Sequence, residues 1–142
     1  MKKIILFLLI TTATQAQSIS ALVGYKAAEV NVKIESELIY GIGLSITDAN
    51  LVAKRANKND GARNIHKANT NIMPSLFFLI GANFDEITIV GKLGGAYLNQ
   101  SINGKDESQK FYRSVGVQLG YNNILASYDS SNSIMIGYNF NF

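Results

Sequence analysis

From residue 19 onward the chain repeats one pattern: a large apolar side chain, then a small or polar one, then another large apolar one. In a strand, successive side chains point to opposite faces, so a period of two gives each segment one apolar face and one polar face. A helix, with its period of 3.6, cannot sort such a pattern. Eight segments carry the alternation: 19–26, 30–35, 38–46, 76–84, 87–97, 111–121, 124–128 and 134–142. In the first, Ile19, Ala21, Val23 and Tyr25 alternate with Ser20, Leu22, Gly24 and Lys26. In the last, Ile134, Ile136, Tyr138, Phe140 and Phe142 alternate with Met135, Gly137, Asn139 and Asn141.

The connections divide by length. Ala27 and Ala28 form one short link and Ser36 another, while Asp85-Glu86, Asn122-Asn123 and residues 129–132 read as tight turns. Two connections are longer and polar: 48–71, which lacks strand alternation, and 100–108, which holds Asn103-Gly104. An up-and-down barrel carries tight turns at one end and loops at the other. The order of lengths here puts both polar loops at the same end. A tilted strand needs about 9–11 residues to cross a bilayer, close to the length of most segments. In hydrocarbon every backbone donor and acceptor must be paired, so the sheet must close and leave no edge. The expected fold is therefore all-β: an eight-stranded antiparallel up-and-down transmembrane β-barrel.

The first residues point to export. Lys2 and Lys3 precede an apolar run over 4–10, and Thr14-Gln15-Ala16 offers a small-x-small cleavage site. Residues 1–16 are read as a secretory signal peptide, too short to span a bilayer as a helix, with 17–142 as one barrel domain. The chain has no cysteine, so no disulfide staples it. Its single proline, Pro74, stands at the start of a strand segment, where a missing N–H does least harm. A net charge of +3, partly from the two leading lysines, is no argument for nucleic acid.

The rows assigned outward hold Val, Ile, Leu, Phe, Tyr and Ala, with Arg113 as the main exception. Near the outer end of its strand, Arg113 can reach headgroups. The opposite rows hold Gly, Ser, Asn and Gln, with Lys33, Glu35 and Lys92. Eight strands leave an interior just wide enough to fill with side chains. A buried lysine there needs a carboxylate, which Glu35 or Glu37 could supply. A lumen charge network of Lys33, Glu35 and Lys92 is expected. Tyr25, Tyr97, Phe111 and Tyr128 fall near the outer strand ends, and Phe84, Tyr121, Phe140 and Phe142 near the inner ends, as two aromatic girdles. In this architecture residues 17–142 resemble the small outer-membrane barrels of the OmpX and OmpA transmembrane-domain type, in a Bacteroidota-like version. The most specific part of the resemblance is the last strand. The family's assembly signal runs polar, x, Gly, x, x, aromatic, x, aromatic. Gly137, Phe140 and Phe142 match it with Tyr138 between them, while Met135 departs from the polar position. The resemblance implies the barrel assembly machinery as partner. The signal peptide and the closing strand make the cell outer membrane the expected location, and a monomer is expected.

Chemistry is sparse. His66 is the only histidine and lies within 48–71. Some small barrels are lipid A deacylases or palmitoyltransferases, with a His, a Ser and a carboxylate at the outer rim. No His-x-Ser motif occurs here, and such a site needs its histidine on a rigid strand end. One histidine without cysteine argues against a conventional zinc site. Neither a phosphate-binding Gly loop nor a nucleophile elbow is present. No catalytic residue, cofactor or metal is expected. The remaining candidate is the basic stretch, where Lys54, Arg55, Lys58, Arg63 and Lys67 face only Asp48 and Asp60. Cations gain from an anionic surface such as phosphorylated lipopolysaccharide. The expected function is that of a small integral outer-membrane barrel with a structural or surface-interaction role and no catalysis. The alternatives are a lipid A-modifying enzyme and a narrow passive channel.

Overall fold

Pairing turns the alternating segments into one closed sheet. A computed structural model of the protein describes residues 18–59, 66–103 and 105–142, and the side chains of all these except 55–59, 66, 102 and 105–110. The expected signal peptide lies outside the described residues. The strands are β1 (Ser18–Gly24), β2 (Ala27–Glu35), β3 (Leu38–Asp48), β4 (His66–Ala68), β5 (Ile72–Phe84), β6 (Ile87–Ile102), β7 (Lys105–Tyr121), β8 (Ile124–Asp129) and β9 (Ser133–Asn141). One helix, α1 (Ala49–Asn59), follows β3.

Eight strands form the ring, each antiparallel to its neighbours, in the order β1, β2, β3, β5, β6, β7, β8, β9. The first and last close it, from Ser18↔Asn141 to Gly24↔Met135. The fold is thus an eight-stranded antiparallel up-and-down β-barrel. The short β4 adds a ninth strand outside the ring. It takes over beside β6 where β5 has ended, pairing Ala68 with Gln100 and His66 with Ile102.

The two ends of the barrel differ. One carries Ser18, Asn141 and the turns at 36–37, 85–86 and 122–123. Asp85 and Asn122 hold positive φ there, which their short polar side chains tolerate. The other end, here the crown, carries α1, β4 and the long β6–β7 hairpin. Beside that hairpin the wall is low. β8 pairs with β7 only from Gly116↔Asp129 to Tyr121↔Ile124.

Three sequence expectations are corrected at the crown. The first hairpin turns at Tyr25-Lys26, and Ala27 and Ala28 already belong to β2. The stretch 100–108, expected as a loop, continues β6 and β7 through a turn at Asn103. Antiparallel pairing needs only backbone groups, so β6 and β7 stay paired past the last outward apolar residues, Tyr97 and Phe111, into a polar stretch with no alternation to mark it, where Gln100 is buried. The stretch 48–71, expected as a loop, contains α1 and β4. Asp48 caps the helix by accepting the Asn50 N–H at 2.9 Å. Ala49, Val52 and Ala53, spaced i, i+3, i+4, are its buried face.

The face assignment holds along every ring strand. Phe78, Ile80, Leu93, Val115 and Ile136 are exposed on the outer wall, while Asn31, Lys33, Lys92, Gln118 and Ser127 are buried inside. Apolar packing inside is confined to patches. One layer of Ala49, Val52, Met73, Ala96 and Leu98 lies under the helix at the crown. Ile39, Phe77, Leu79 and Val90 make a second patch, and Leu22, Ala27, Leu125 and Met135 a third.

Candidate functional site

The interior is organised around Lys92, which β6 aims inward and which has no solvent exposure. Its Nζ lies 2.6 Å from Glu29 Oε2 and 2.7 Å from Asp129 Oδ2, and donates to Ser127 Oγ at 3.2 Å. The same ammonium stands 4.5 Å from the centre of the Phe77 ring, close enough for a cation–π contact. Strong attraction in a low-dielectric interior offsets the cost of desolvating these charges only where the remaining lone pairs are also satisfied. Here they are. Asp129 Oδ1 accepts the backbone N–H groups of Ser131 and Asn132 at 3.0 and 2.7 Å. Glu29 Oε1 accepts from Asn31 Nδ2 at 3.0 Å.

Asn132 locks this cluster from the crown side. The β8–β9 turn folds inward and buries its side chain. Its Nδ2 lies 3.1 Å from Glu29 Oε2 and 3.1 Å from Asp129 Oδ2, and its Oδ1 accepts the hydroxyls of Ser45 and Thr47. Gly43 leaves room for the neighbouring amide, since a Cβ there would lie 2.1 Å from Asn31 Oδ1. A second, smaller cluster sits toward the opposite end. Lys33 Nζ lies 2.7 Å from Glu35 Oε1, which also accepts from Ser18 Oγ at 2.5 Å and Asn139 Nδ2 at 3.3 Å. The two clusters and the apolar patches all lie inside the ring.

The residues singled out in the sequence therefore divide. Lys33, Glu35 and Lys92 all face inward, and Lys33 pairs with Glu35. The carboxylates that hold Lys92 are Glu29 and Asp129, not Glu35 or Glu37, and Glu37 is exposed in a turn. Glu29 shares the inward parity of Asn31, Lys33 and Glu35. Reading Ala27 and Ala28 as a link began β2 one residue too late to include it. Asp129 and Asn132 looked like turn formers, and nothing local says that this turn folds inward. In β9, Gly137 fits where a Cβ would meet Ala21 O at 2.2 Å, and the outward rings of Tyr138 and Phe140 meet edge to face at 5.1 Å.

At the crown, Lys54 and Lys67 are exposed. Arg55 and Lys58 fall on α1 and His66 on β4, with side chains outside those described, and Arg63 is outside the described residues. Lys26 reaches across the rim to Asp48 at 2.8 Å. That hydrogen bond, with the charge of Asp48, raises the Lys26 ammonium above the usual lysine range. Among the described residues, no group of three His, Cys, Asp or Glu is placed to hold a metal ion. Protein-family models, curated proteins and solved structures were compared with the chain, and none matches it.

Proposed function

We propose that the protein is an integral barrel of the outer membrane with a structural or surface-interaction role and no catalytic one. The observation that carries this reading is the inversion of polarity across the wall. Tyr40, Phe78, Ile80, Leu93, Val117, Leu119 and Ile136 are exposed on the outside, while Lys33, Lys92, Glu29 and Asp129 are buried within. A water-soluble barrel has the opposite arrangement, and a soluble monomer rarely exposes apolar patches beyond a few hundred Å². Hydrocarbon is the solvent that suits this wall, and a closed ring is the sheet that hydrocarbon tolerates. Exposed aromatic rings at both margins support the same reading: Tyr25, Tyr97, Phe111 and Tyr128 toward the crown, Phe84, Tyr121 and Phe140 toward the other end. On this reading the crown faces outward, where Lys54 and Lys67 meet the phosphorylated lipopolysaccharide surface. The aromatic strand β9 is then what the barrel assembly machinery reads.

Vesicle flotation combined with gel mobility tests this. The protein should float with phospholipid vesicles, and unboiled samples should migrate differently from boiled ones, because a folded barrel resists detergent. A heat-insensitive band, with the protein left in the soluble fraction, would sink the membrane reading.

A further inference from the structure

Among the side chains described, Arg113 is the only lysine or arginine on the outward face of the eight ring strands, and no described carboxylate pairs with it. It lies opposite Gly95 in the β6–β7 register, within the crown-side band of rings. Having no side chain, Gly95 leaves the wall beside Arg113 open. The Phe111 ring folds into that opening, where a Cβ on Gly95 would lie 2.2 Å from its Cζ. A groove of about 520 Å³ runs from this point along Leu44, Leu76, Phe78, Leu93 and Tyr97. A second groove of about 440 Å³ joins it at Leu44 and Pro74 and continues to β2.

Arg113 itself does not line the groove, but Gly95 and Phe111, which do, are its cross-strand partner and its next neighbour on the same face. One cation beside the end of an apolar trough fits an amphiphile with one anionic head and a hydrocarbon tail. We propose that this groove holds a single phosphorylated membrane lipid, its phosphate on the Arg113 guanidinium and an acyl chain along Leu76, Phe78 and Leu93. The inference rests on the membrane reading above. A guanidinium presents a planar fork of donors that matches phosphate oxygens, and aromatic rings beside it set the depth of the headgroup. A free inorganic phosphate would gain nothing from the trough. A protein partner would leave the single charge without the polar rim that protein interfaces carry.

The folded barrel in non-ionic detergent, titrated with dioleoylphosphatidylglycerol and read by native mass spectrometry, tests the proposal. Wild type should retain one lipid. Arg113→Gln should weaken that retention roughly fivefold, the effect of one cation near an anionic surface. Arg113→Lys should keep most of it. Dioleoylglycerol, which lacks the phosphate, should bind wild type and Arg113→Gln equally weakly, and millimolar inorganic phosphate should not displace the lipid. Equal retention by wild type and Arg113→Gln overturns the proposal, and so does equal retention of the two lipids by wild type alone. Displacement by inorganic phosphate overturns it in favour of a simple anion site. A barrel that fails to float with vesicles removes the membrane reading and this inference together. One that floats but holds lipid regardless of Arg113 removes only the inference.

Discussion

Lys92 has an ammonium between two carboxylates, above an aromatic face, with no water-exposed surface. The aliphatic stem could be replaced by another apolar chain of similar length, but the charge could not. Lys92→Met should leave Glu29 and Asp129 as uncompensated neighbours and cost about 3–5 kcal/mol, the usual cost of removing one partner from a buried pair. Urea unfolding of the detergent-folded barrel measures this. The same substitution in a Glu29→Gln, Asp129→Asn background should cost far less, because no stranded charge remains. Equal cost in both backgrounds would mean that Lys92 acts through packing alone. The exposed pair of Lys26 and Asp48 is a different case, since surface ion pairs contribute little.

The helix is the element with the most independent fate. α1 is joined to the wall through Ala49 and Val52 against Met73, Ala96 and Leu98, and through the Asp48 cap. Val52→Asp should release the crown without opening the ring, because none of the ring's pairing passes through α1. Trypsin should then cut after Lys54 while the heat-shifted band persists. Loss of the heat shift would show that crown and ring fold as one unit. The ring itself was legible in the sequence because every ring strand keeps one apolar row, and Phe78, Ile80 or Leu93 can face only one way. The helix was legible in principle, from an Asp cap followed by apolar residues at i, i+3 and i+4, but strand parity says nothing about such a segment. The extension of β6 and β7 was hidden because pairing beyond the apolar belt leaves no alternation to read. The partners of Lys92 depend on register across the barrel, which brings residues 29, 92 and 129 together from three strands.

For the whole molecule, the side chains buried inside the ring lead to a prediction about transport. Asn132 and the Lys92 cluster lie in the interior, and Met73, Leu98 and Val52 form a buried apolar layer at the crown. In planar bilayers the wild-type barrel should show no stable conductance steps. Discrete openings in wild type would favour the narrow-channel alternative over the structural one. The alternation that builds the wall has another consequence, felt before any wall exists. Spread along an unpaired chain, the apolar residues are diluted by the polar ones between them, and the mean hydropathy of the sequence is only +0.10. The longest unbroken apolar runs, 4–10 and 76–80, are too short to halt in a bilayer as a helix. The chain can thus travel through water as a modestly polar polymer. Its oily exterior comes into being only as strands join, and is completed when β1 meets β9.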